Sequence, residues 1–96
     1  MTLFSINEQV SIRQLGQDYL AYSAQTNQTI VLESLAYRLL KLLAEPLNID
    51  DLLTIVKNEA EFAGMEVDDK TVYLETVLRE LSARGFIVKV LTGSDY

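Results

Sequence analysis

Near Ser34 the spacing of apolar residues changes from the alternation of strands to the three-and-four spacing of helices, so the chain must place its strands first and its helices after. In the first third, Val10 and Ile12 share one face while Ser11 and Arg13 take the other. Gly16-Gln17-Asp18 supplies a turn, and Tyr19–Ala24 then sets Leu20 and Tyr22 against Ala21 and Ser23. Residues Gln25–Gln28 form a second polar turn, in which Asn27 tolerates the left-handed backbone conformation. A third strand, Thr29–Leu32, carries Ile30 and Leu32 on one face. The pattern predicts a three-stranded antiparallel meander, preceded by a short extended piece at Phe4–Ile6.

Beyond Ser34, a helix is expected over Leu35–Glu45 with Ser34 as its N-cap. Its polar residues Arg38, Lys41 and Glu45 fall on one narrow stripe, so it is expected to be buried nearly all round at the centre of the fold. Pro46 stops it, because the residue before a proline is pushed out of helical geometry. Asn48 is placed to cap a second helix whose inner face is Ile49, Leu52, Leu53, Val56, Ala60 and Ala63, with Gly64 at its C-terminal cap. Asp68 or Asp69 is expected to cap a third helix that runs to Arg84 and stops at Gly85, with Leu74, Val77, Leu78 and Leu81 as its core stripe. Phe86–Val90 reads as a short terminal strand, and residues 91–96 as a fraying tail. The expected class is α+β, a single domain over residues 1–96 with the element order of a winged helix-turn-helix.

Composition narrows the chemistry. The chain has neither cysteine nor histidine, which excludes disulfides, thiolate–imidazole zinc sites and the serine and cysteine triads that depend on histidine. No aspartate-rich loop with the glycine that a calcium site requires is present, and the glycines at 16, 64, 85 and 93 are too scattered for a phosphate loop. Asp50-Asp51 and Asp68-Asp69 fall where helices begin, and capping accounts for them; Glu59 and Glu61, two residues apart, do not face each other on a helix. These readings point away from an enzyme, and no cofactor is expected. The N-terminus lacks the basic and apolar regions of a signal peptide, and Leu35–Leu47 is cut by three charges, so neither export nor a membrane span is expected and a cytoplasmic location is.

Fourteen acidic against eight basic residues give a formal net charge of −6, a field that repels phosphates. A winged-helix DNA-binding regulator is the competing function. Its recognition helix, Asp69–Arg84, would set Lys70, Arg79 and Arg84 against Asp69, Glu75 and Glu80, a balance of zero where groove binding calls for a positive face.

The segment LFSINEQVSIRQLGQDYLAYSAQTNQTIVLESLAYRLLKLLAEP resembles the PqqD family, also described as RiPP recognition elements, and within it the PqqD-like peptide chaperones found beside HPr-kinase-related proteins. The residues carrying the likeness are Leu15-Gly16, Tyr22-Ser23, Thr29–Leu32 running into Leu35-Ala36 and Leu39-Leu40, and then Asp69, Val77, Leu81 and Gly85-Phe86. Asn27 stands where relatives often have glycine. The resemblance implies a winged-helix-like module that binds the leader of a ribosomally made precursor peptide and presents it to a separate modifying enzyme, radical-SAM or kinase-related by analogy. It also implies that the leader pairs with the edge of the third meander strand and packs against the third helix.

The residues are compatible with that placement. Gln28, Thr29, Ile30, Val31 and Leu32 contain no charge and no proline, the devices that usually blunt an exposed edge, so the strand invites another by β-augmentation. The alternatives are that the C-terminal strand Phe86–Val90 covers this edge, or that a second protomer does, which would make the chain a homodimerising structural adaptor. On the third helix, Tyr73, Val77, Glu80 and Arg84 form a line beside the core stripe, with Tyr73 and Val77 able to hold an apolar anchor and Glu80 and Arg84 to select charge. Alternatively Tyr73 sits at the core edge with its hydroxyl in water and the charges are simply solvated.

Overall fold

Gly16 occupies the first position of a two-residue loop at φ +65°, a backbone conformation that suits the twist of a tight hairpin and that side chains with a Cβ rarely adopt. The computed structural model describes residues 2–91, ordered β1 (Thr2–Ile6), β2 (Val10–Leu15), β3 (Asp18–Ser23), β4 (Gln28–Leu32), α1 (Ser34–Leu42), α2 (Ile49–Val56), α3 (Val67–Ala83) and β5 (Ile87–Leu91). The protein is α+β, with β2, β3 and β4 forming an antiparallel three-stranded sheet in that order. Asn27, at φ 58°, takes the left-handed position in the loop before β4. Among the described residues no helix is long and apolar enough to cross a membrane.

The register sorts the sheet into two faces. Ile12, Ala21 and Ile30 form one inner row, and Gln14, Tyr19 and Leu32 the next. Ala21 and Leu32 are buried in the core with Leu35, Leu39, Leu40 and Leu43. The outer rows are Ser11–Tyr22–Thr29 and Arg13–Leu20–Val31. Tyr19 stacks on Tyr37 of α1 with ring centroids 3.8 Å apart, which fixes α1 across the inner face of the meander.

The extended piece at the N-terminus is β1, and it forms a sheet of its own with β5: Thr2 pairs with Leu91 and Ile6 with Ile87. The alternative in which the C-terminal strand covers β4 is therefore corrected, since β5 pairs with β1. On its other side β1 exchanges two hydrogen bonds with Leu47, at 2.7 and 2.9 Å, and the Ile6 N–H donates to the Leu43 carbonyl at 2.8 Å. The carbonyl of Leu43, at the C-cap of α1, thereby finds a donor that the helix cannot provide. Residue 91 ends β5, and the rest of the expected tail, 92–96, lies outside the described residues.

Four helix boundaries differ from expectation, the first being the end of α1, which closes at Leu42 with Leu43 as its C-cap and does not run on to Glu45 and Pro46. Glu33, not Ser34, holds the extended cap position of α1, and the Leu35 N–H is met by the Glu61 carboxylate at 3.1 Å. Glu66, not Asp68 or Asp69, holds the cap of α3, which leaves both aspartates in the first turn, where carboxylates still favour the positive end of the helix. The second helix does begin at Asn48, whose side chain accepts from the Asp51 N–H at 2.7 Å. It stops at Val56 rather than continuing to Ala63.

A 3-10 turn, Ala60–Phe62, follows, which leaves Ala60 and Ala63 exposed and buries Phe62 completely. Leaving the helix early exchanges two small side chains for one aromatic, which removes far more apolar surface from water. The early exit also brings Glu59 within 3.4 Å of Arg38 and Glu61 to the start of α1. Gly64, at φ +79°, turns the chain after this piece and does not cap α2.

Candidate functional site

The C-terminus of α3 is locked to the loop before β4, and this joint sets the spacing between them. Gly85 takes φ +83°, the Gly85 N–H donates to the Ser82 carbonyl, and the Phe86 N–H reaches back to the Leu81 carbonyl, closing the helix with a left-handed residue. The Gly85 carbonyl accepts from the buried Ser23 hydroxyl at 3.0 Å and from the Asn7 amide at 3.0 Å. The Asn7 amide also donates to the Gln25 side-chain oxygen, and the Thr26 hydroxyl donates to the Arg84 carbonyl at 2.8 Å. A Cβ on Gly85 would lie 2.6 Å from the Thr26 methyl carbon, so the approach is closed to any other residue without a shift.

From this joint β4 and α3 diverge, leaving between them a groove of about 370 Å³. Six of the residues singled out from sequence line it: Ile30, Val31, Tyr73, Val77, Glu80 and Arg84. The other three are elsewhere. Leu32 is buried in the core, Thr29 lines a hollow on the outer face of the sheet, and Gln28 is exposed at the start of β4. Leu35, Ala36 and Leu81 form apolar parts of the groove that the sequence reading assigned to the core alone, while Glu33 and Thr76 add polar positions. Helical spacing was the available signal for two of them, since Thr76 and Leu81 stand three and eight residues beyond Tyr73 on α3. Tyr73 itself is half-buried, edge-on to Phe62 with centroids 5.5 Å apart.

Which backbone groups β4 leaves open follows from the ladder. A two-residue hairpin closes on a hydrogen-bonded pair, here Leu15 and Asp18, and bonded and non-bonded pairs then alternate. Asp18, Leu20 and Tyr22 thus spend their backbone groups on β2, and Tyr19, Ala21 and Ser23 spend theirs on Leu32, Ile30 and Gln28. The N–H and C=O groups of Thr29 and Val31 point away from the sheet, and among the described residues they have no backbone partner. The Val31 side chain, on the outer face, is 64% exposed.

β2 and β5 also leave one side unpaired among the described residues, but β2 carries Arg13 and β5 carries Lys89, charges of the kind that discourage strand addition. β4 has none.

Among the described residues no group of three or more Asp, Glu, His or Cys side chains is placed to hold a metal ion. Glu59 is paired with Arg38, and Glu61 serves the start of α1. On α3 the Lys70 ammonium donates to the Lys57 carbonyl at 3.1 Å, while Arg79 is the other basic residue of the helix and Arg84 stands at its C-cap. What the site offers is a strand edge with an amphipathic floor. Comparisons with protein-family models, with curated proteins and with solved structures each found no match to this chain.

Proposed function

We propose that this chain is a non-catalytic peptide-binding module that takes up an extended segment by strand addition to β4. The observation that carries the reading is the coincidence of two features: the open Thr29 and Val31 backbone groups, and the groove beside them walled by Val77, Tyr73 and Leu81 of α3. Main-chain bonds along β4 would provide affinity, and alternate side chains entering the groove would provide selectivity. The length fits: Tyr73 to Arg84 spans about 16 Å along the helix axis, the reach of roughly five strand residues.

The resemblance to the PqqD family supplies the biological form of this proposal. The bound segment is the leader of a ribosomally made precursor peptide, and the module presents it to a separate modifying enzyme, radical-SAM or kinase-related by analogy. The β2–β4 meander followed by α1, α2 and α3 is also the element order expected of a winged helix-turn-helix, although residues 57–66, with the 3-10 turn among them, replace the short turn expected between α2 and α3.

The test is a titration of isotopically labelled protein with the short peptides encoded near its gene. Saturable amide shifts centred on Thr29 and Val31 and on the Tyr73–Arg84 face of α3 are expected. Absence of shifts with every peptide, in a folded and monomeric protein, would overturn the reading. A stable dimer in which the same amides are protected would replace the peptide by a second copy of the chain.

A further inference from the structure

The groove is electrically asymmetric along its length. At one end, the bond from Thr26 to the Arg84 carbonyl holds the last turn of α3 beside the loop that enters β4, so Arg84 marks the Gln28 end. At the other end, β4 runs out into Glu33, which lines the groove beside Leu35 and Ala36 at the start of α1. Glu80 lies between, one helical turn before Arg84. None of these three side chains makes a hydrogen bond or an ion pair with a described residue, and all are exposed. Three charges stand unpaired around an apolar floor of Ile30, Val77 and Leu81.

Building on the strand-addition reading, we propose that the groove selects both the sequence and the direction of its partner. The partner is an extended segment with a basic side chain, an apolar one and an acidic one at alternate positions, in that order from its N-terminus. Alternation places all three on the face that enters the groove, because successive strand side chains point to opposite sides. Every strand pairing among the described residues is antiparallel, and continuing the meander that way sets the N-terminus of the partner beside Glu33 and its C-terminus beside Arg84. The basic group then meets Glu33, the apolar group packs on Val77 and Ile30, and the acidic group meets the Arg84 guanidinium. Glu80 keeps the middle of the groove closed to an acidic side chain, so the acid is accepted only at the Arg84 end.

Two capped peptides of the same composition, SKTVTDS and its charge-reversed twin SDTVTKS, test this by amide shift titration. They carry equal net charge, so the overall acidity of the protein does not distinguish them. The first should bind about tenfold more tightly, the scale expected of two exposed ion pairs that are attractive in one peptide and repulsive in the other. The double variant Glu33→Lys/Arg84→Glu should reverse the preference, and Glu33→Gln/Arg84→Gln should abolish it. Amide spectra of the free variants report whether they remain folded. Equal affinities of the twins for the unaltered protein, with shifts still centred on β4, would overturn charge selection and leave strand addition standing. No shift with either twin or with any gene-neighbour peptide would overturn both.

Discussion

β1 and β4 are each five residues long and uncharged, yet among the described residues β1 has backbone partners on both sides and β4 on one. Composition does not separate them. The difference lies in which end of α1 each meets. The C-terminal end of that helix has carbonyls to satisfy, and β1 lies close enough for Ile6 to donate to Leu43 and for Phe4 to exchange bonds with Leu47 just beyond. The N-terminal end has N–H groups to satisfy, and there the acceptor is a side chain, Glu61, brought in by the 3-10 turn. A carboxylate can serve a helix start without a backbone coming alongside, so the edge of β4 stays open beside it.

Proline placed in each strand turns this contrast into a measurement. In β1, Phe4→Pro removes the N–H that donates to Leu47 at 2.7 Å and also the half-buried ring, and should cost about 3–5 kcal/mol in urea unfolding. Phe4→Ala isolates the ring and should account for roughly 2 kcal/mol of it. If the two variants are equally stable, the Leu47 bridge contributes nothing and β1 is held by β5 alone.

The joint that sets the groove comes next. Gly85→Ala would force an alanine into φ +83° against the Thr26 methyl, itself held by its hydroxyl bond to the Arg84 carbonyl. Left-handed strain alone is about 1–2 kcal/mol. For a chain of this size that lowers the midpoint of thermal unfolding by roughly 5–15 °C. A smaller effect is expected at the start of α1, where Glu61→Ala removes the acceptor for the Leu35 N–H and should cost about 1 kcal/mol, the usual range of a lost cap. An unchanged midpoint in Glu61→Ala would mean that water serves this N–H equally well, and the proposed reason for the open edge would fall.

Local chemistry made much of this legible from sequence. Asn48 as a cap, Gly16 and Asn27 in tight turns, Gly85 as a helix stop and the period-two meander are all decided within a few residues. What was not legible depends on distant partners. Asp68 and Asp69 are better intrinsic caps than Glu66, yet α3 begins one turn earlier, with Val67 as its first residue. Ala60 and Ala63 continue the apolar stripe of α2, but Phe62 wins the interior because it has more surface to bury. The pairing of β1 with β5, some eighty residues apart in sequence, leaves no local mark at all. In the groove, Tyr73, Val77, Glu80 and Arg84 follow from helical spacing, whereas Glu33 and Ala36 become part of it only because α1 starts where β4 ends.

The smallest effect on stability, and the most informative, is expected from Val31→Pro. The Val31 N–H points away from β3, so the pyrrolidine ring removes no bond from the sheet, and the side chain lost is 64% exposed. Proline is tolerated in edge strands for this reason, and unfolding free energy should change by less than about 1 kcal/mol. Ile30→Pro, one residue away, removes an N–H that the ladder spends on Ala21 and should be several-fold more costly. Comparing the two by urea denaturation therefore tests the alternation from which the open edge was derived, independently of any ligand. A Val31→Pro protein that is as damaged as Ile30→Pro would mean that β4 presents the other set of backbone groups, and strand addition would have to be re-registered by one residue. A Val31→Pro protein that is intact, yet no longer gives the peptide-induced shifts on α3, would show that the groove is filled only when the edge beside it is paired.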